Sequence, residues 1–139
     1  MDVDGIVQFF ETLDRAALAR IGDVYTDGAY FKDPFNEVRQ VADIRRIFDH
    51  MFDEMHEPRF VVMQRIVDGD HVVLVWDFSF RLRKFRPAQA WRIHGASHLE
   101  LAPDGRIAHH RDYWDTGEEL YAKLPGIGPV IRWLMRRMA

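Results

Sequence analysis

The chain has 139 residues, 47% hydrophobic and 13% aromatic, which suits one folded domain with a real core and excludes a disordered chain. Its net charge of −3 argues against a nucleic-acid partner, and the absence of cysteine excludes disulfides, zinc ribbons and thiol nucleophiles. The acidic opening MDVDGIVQFF lacks the marks of a signal peptide, and no apolar run approaches the ~20 residues of a membrane span, so a soluble cytoplasmic protein is expected.

Asp4 precedes GIVQFFETL, where Ile6, Phe9, Phe10 and Leu13 recur at helical spacing; the pattern predicts a first helix capped by Asp4. DRAALARIGDVY predicts a second short helix capped by Asp14. Residues 30–36, YFKDPFN, then set an ionisable Asp33 among aromatics, and the proline after it imposes an extended or turn conformation. In VADIRRIFDHMFDEM, the residues Val41, Ile44, Ile47, Phe48, Met51, Phe52 and Met55 form one apolar stripe, predicting an amphipathic helix of about four turns.

From Pro58 the period changes to two. RFVVMQRIVDGDHVVLVWDFSFRLR predicts two strands about a turn at Asp68-Gly69-Asp70, and AWRIHGASHLELAPDGRIAHHRDYWD two more about Pro103-Asp104-Gly105. GEELYAKL, the breaker PGIGP and a basic amphipathic tail, VIRWLMRRMA, close the chain. Helices followed by long hairpins describe an α+β domain, a curved antiparallel sheet with helices on its concave face and residues 29–33 at its edge. Residues 1–139 form one domain, with 118–139 as a C-terminal helical extension. Leu74, Trp76, Phe78 and Phe80 share a strand face that must meet the helices, opposite Asp77, Ser79 and Arg81. In the last strand His110, Asp112 and Trp114 share one face, and His109, Arg111, Tyr113 and Asp115 the other. Alternation does not decide which of these two faces points inward.

The two opening helices, YFKDP, VADIRRIF, HVVLVWDFSF and PDGRIAHHRDYWD, in this order and spacing, resemble the nuclear transport factor 2-like (NTF2-like) superfamily. Within it the chain resembles the SnoaL-like and ketosteroid isomerase-like proteins over residues 5–116. The resemblance implies a cone of curved sheet plugged by helices, an apolar pocket inside, and a homodimer. In ketosteroid isomerases the catalytic base is the aspartate of an Asp-Pro pair at the place of Asp33. Their oxyanion hole needs a tyrosine and a protonated acid, a pairing long established as an example of pKa tuning. The positions that match are Phe9 and Ser97. Phenylalanine donates no hydrogen bond and serine is a weaker donor, which argues against steroid isomerisation. The same matching turns His110, Asp112 and Trp114 inward, with Trp76, Phe78 and Phe80. SnoaL-type cyclases use an aspartate as base in a ring-closing aldol reaction, a role that Asp112 could fill.

The candidate catalytic residues are therefore Asp33, His110 and Asp112. Asp33 is expected at the pocket wall, where desolvation would tune it toward general-base work; the alternative is a carboxylate that hydrogen-bonds its own turn. His110 and Asp112 could form an acid/base pair or merely satisfy one another. Phe9, Phe31, Trp76, Phe78, Phe80, Ser97 and Trp114 are the candidate substrate contacts. No cofactor is expected. No metal is expected either, because His94, His98 and His109 on the outward face have no diagnostic spacing and no clear carboxylate partner. The expected ligand is a small hydrophobic molecule. The tail is expected to dock on the domain or on a second subunit, with membrane-surface contact as the alternative. Two functions remain open: a cofactor-free isomerase, cyclase or dehydratase for a hydrophobic carbonyl compound, or a non-catalytic binding or accessory protein in lipid or polyketide metabolism.

Overall fold

The computed structural model describes residues 2–139. Its first helix, α1 (Val3–Glu11), is capped by Asp2, whose carboxylate accepts from Gly5 N–H at 2.9 Å. The cap thus lies two residues before Asp4, which sits inside the first turn and pairs instead with Arg65. Residues 14–25 do not make one helix. A 3-10 turn (Ala16–Arg20), capped by Asp14 through Ala17 N–H, is followed by the single turn α2 (Ile21–Val24). The apolar stripe of residues 41–55 becomes α3 (Val41–Glu54), with Ile44 and Phe48 fully packed and the rest of the stripe against the core.

Six strands form: β1 (Tyr25–Lys32), β2 (Glu37–Val38), β3 (Met55–Asp68), β4 (His71–Leu82), β5 (Trp91–Leu101) and β6 (Ile107–Tyr113), one more than the sequence pattern predicts, because the short β2 pairs outside β1 and takes the edge expected for residues 29–33. They form one open, curved sheet in the order β2-β1-β6-β5-β4-β3. Pairing is antiparallel except between β1 and β6, which run parallel with an irregular register between Tyr25 and Tyr30. Bulges interrupt β3 between His56 and Arg59 and between Val62 and Gln64, and such insertions bend a sheet. Beside the second bulge Val62 N–H donates to Glu11 Oε2 at 3.0 Å, tying α1 to the sheet edge.

The helices cover the concave face. Leu74, Trp76, Phe78 and Phe80 are all buried there, beside Ile93 and Leu99 of β5 and Ile6 and Phe10 of α1. Gly95 is directly opposite Trp76, and a Cβ at Gly95 would lie 2.7 Å from the indole and 2.9 Å from Trp114 Cβ. Only glycine lets the indole cross β5 at that height. Beyond β6, α4 (Thr116–Glu119) and a second 3-10 turn lead to α5 (Ile127–Met138). PGIGP is only partly a breaker: Gly126 takes φ +79°, after which Pro129 sits in the first turn of α5. A first-turn amide has no helical acceptor, so proline costs nothing there.

Candidate active site

His110 stands at the centre of the concave face because β6 lies between β1 and β5. Phe31 is its partner across the parallel pairing and Leu99 across the antiparallel one. The imidazole is only 3% exposed and is boxed by Phe10 (ring centroids 5.8 Å), Phe31 (4.7 Å) and Tyr25 (5.9 Å). Both its nitrogens are engaged. Tyr25 O–H lies 2.7 Å from Nδ1, and Nε2 lies 2.6 Å from Asp112 Oδ1. Asp112 Oδ1 also accepts from Ser97 O–H at 2.5 Å, and Ser97 Oγ accepts from Trp76 Nε1–H at 2.8 Å.

These contacts make one directional chain. Burial, and secondarily the nearby Asp112 charge, push the Tyr25 phenol well above its ordinary pKa, so it stays protonated. With Tyr25 donating to Nδ1, the assignment that satisfies every group is a neutral imidazole carrying its proton on Nε2, aimed at Asp112. Two donors thus converge on Oδ1, while Oδ2 accepts from none of the described residues. A carboxylate held on one oxygen and unoccupied on the other can take a proton on the second.

A cavity of about 20 Å³ adjoins this chain, lined by Phe10, Phe48, Phe60, Trp76, His110 and Asp112 among others. That is room for about one water. Asp112 also borders an open cleft at the end of β6, with Pro34, Arg111, Tyr113, Trp114 and Asp115. A wider depression is on the sheet's opposite, convex face, lined by Met63, Gln64, Val75, Asp77, Arg92, His94, Glu119 and Lys123. There Asp77 is held below the usual carboxylate range, first by its hydrogen bond with His94 and then by Arg92.

The expected site residues divide into those that converge and those that do not. His110, Asp112, Ser97 and Trp76 are joined by hydrogen bonds, and Phe31 packs on the imidazole. Phe78 and Phe80 are buried in the ring stack below, with Phe60 4.3 Å from Phe78, and do not border the cavity. Phe9 is displaced by its neighbour: the helical turn aims Phe10 inward, and Phe9 meets it edge-on at 5.5 Å. Trp114 borders the outer cleft and meets Phe35 at 5.8 Å.

Asp33 departs furthest from expectation. Its Oδ1 accepts from Phe35 N–H at 2.8 Å, Asn36 N–H at 2.7 Å and the Asn36 side-chain amide at 3.1 Å. It is the acceptor at the centre of its own turn, and the cavity wall does not include it. The local rule that aspartate before proline organises a turn accounts for this without a pocket. Tyr25 is the residue that sequence reading missed. It closes a stretch that reads as helix, and only the parallel β1–β6 pairing brings it beside His110.

The profile of the SnoaL-like domain matches residues 6–110, and the chain belongs to that family. No curated protein matches the sequence. Among solved structures, a protein of ketosteroid isomerase-like fold from Catenulispora acidiphila, in complex with trimethylamine, is similar at 13% identity and TM-score 0.71 over 85% of this chain and 88% of that one. An NTF2-like protein from Burkholderia thailandensis is similar at 20% identity and TM-score 0.69, over 82% and 88%. An LEH-like epoxide hydrolase from M. tuberculosis aligns at 14% identity and TM-score 0.67, over 97% and 92%. At these identities the likeness is one of fold.

Proposed function

We propose that this SnoaL-like protein is a small acid/base enzyme that removes a proton next to a carbonyl in a hydrophobic compound, with Asp112 as the base. The observation that carries this reading is the polarised chain from Tyr25 through His110 to Asp112, in which one carboxylate oxygen is fixed and the other is left to accept. His110 is a positioning residue: both its nitrogens are committed, so it orients Asp112 and steadies its charge rather than meeting the substrate. Ser97 and Trp76 do the same from β5 and β4. The aromatic lining supports an apolar substrate. Because the cavity holds about one water, substrate entry requires Phe60 or Phe10 to swing aside, or approach from the outer cleft that Asp112 also borders.

A second reading, a binding or accessory protein, is favoured by the smallness of that cavity. The experiment that separates the two follows exchange of α-protons of small hydrophobic ketones with deuterated water by NMR. The enzyme reading predicts exchange catalysed by the native chain and abolished in Asp112→Asn. Binding of a ketone without any catalysed exchange would favour the accessory reading, with trimethylamine a ready cationic probe for a carboxylate among aromatic rings.

A further inference from the structure

The convex face of the sheet, opposite Asp112, carries a second cluster. His71 opens β4 just after the two-residue turn, and its partner across the β4–β5 ladder is Glu100; His98 lies two residues earlier on β5. His71 Nδ1 is 2.9 Å from His98 Nε2 and 3.5 Å from Glu100 Oε1, and one ligand atom from each residue lies within 4.8 Å of the others. We propose that His71, His98 and Glu100 form a binding site for a late first-row divalent metal ion, zinc foremost.

Three arguments support the site. With metal–nitrogen and metal–oxygen bonds of about 2.0–2.1 Å, neighbouring ligands in a tetrahedron stand about 3.3 Å apart. The observed 2.9 and 3.5 Å bracket that spacing, and the third separation, His98 to Glu100, lies within 4.8 Å, so binding requires these two side chains to close toward each other at a partly open surface. Two imidazoles with one carboxylate suit zinc and its neighbours rather than magnesium or calcium, and leave a fourth position for water or another ligand. Finally, His109 faces Glu100 across the β5–β6 ladder, with its ring 5.8 Å from that of His98. Its Nδ1 is buried without a partner among the described residues. His94 makes no comparable site, because its carboxylate partner Asp77 is already neutralised by Arg92.

The cluster and the acid/base chain are on opposite faces, with Leu99 turned inward between His98 and Glu100, so the two can be tested separately. Metal-stripped, tag-free protein is titrated with Zn²⁺ against a chromophoric chelator, and with Co²⁺ while its visible d–d bands are recorded. The site predicts one equivalent bound per chain, Co²⁺ bands of low-coordinate intensity, and affinity at least about 10–100-fold weaker in His98→Ala and Glu100→Gln. His94→Ala should bind as the native chain does. Circular dichroism confirms that each variant is folded. No saturable binding by the native chain, or unchanged affinity in folded His98→Ala and Glu100→Gln, would overturn the proposal.

Discussion

At the scale of single residues, two aspartates next to aromatic surface have different jobs. Asp33 spends its carboxylate on its own turn, whereas Asp112 shares one oxygen between Ser97 and His110. Asp33→Ala should therefore lower stability by about 1–3 kcal/mol, the cost of unsatisfied turn donors, and leave ligand binding unchanged, as denaturant melts with a binding titration would report. Tyr25→Phe leaves His110 Nδ1 without its partner in a buried site. It should cost a similar amount and slow any Asp112-dependent exchange, because the imidazole loses the contact that fixes its proton on Nε2. On the convex face Asp77 has a lowered pKa, so it binds its proton less readily folded than unfolded. Its stabilisation is complete above the unfolded value of 3.8 and is lost as pH falls through the lower folded one. Asp77→Asn should thus flatten the acid side of a plot of Tm against pH.

At the scale of elements, legibility followed the range of the interactions. The stripe of α3 and the alternation of β4 were readable because each is set by local periodicity against one buried face. The parallel pairing of β1 with β6 was not, since nothing within either segment encodes a neighbour some eighty residues away. That pairing builds the candidate site, which explains why His110 and Asp112 are legible as candidates in the sequence while Tyr25 is not. Phe9 lies off the cavity wall for a smaller reason: one residue along a helix is about 100° of rotation, and Phe10 holds the inward angle. Where β4 pairs with β5, Trp76 is both core and cavity wall. Trp76→Ala should cost about 3–5 kcal/mol by chemical denaturation and also increase hydrophobic-dye binding, since it opens the cavity beside Ser97. A full stability loss with unchanged dye binding would make the indole ordinary core.

At the scale of the whole molecule, apolar side chains are left uncovered on the convex sheet face and on α5. On α5, Ile127, Val130, Trp133, Leu134, Met135 and Met138 are all exposed, and the helix packs chiefly on the 3-10 turn before it rather than over the mouth of the cone. Val61, Met63 and Tyr113 are exposed on the sheet. No helix among the described residues is long and apolar enough to cross a membrane. We propose a symmetric homodimer that covers these surfaces. Sedimentation equilibrium at micromolar concentration should give about twice the 16.4 kDa chain mass, and a species of single-chain mass alone would contradict the dimer.

The central claim, that Asp112 and not Asp33 takes the proton, is tested most directly by α-proton exchange rates on one hydrophobic ketone for native, Asp112→Asn and Asp33→Asn chains. A loss of about 10²–10⁴-fold is expected in Asp112→Asn and a rate within about threefold of native in Asp33→Asn. A collapse confined to Asp33→Asn, with Asp112→Asn near the native rate, would contradict it.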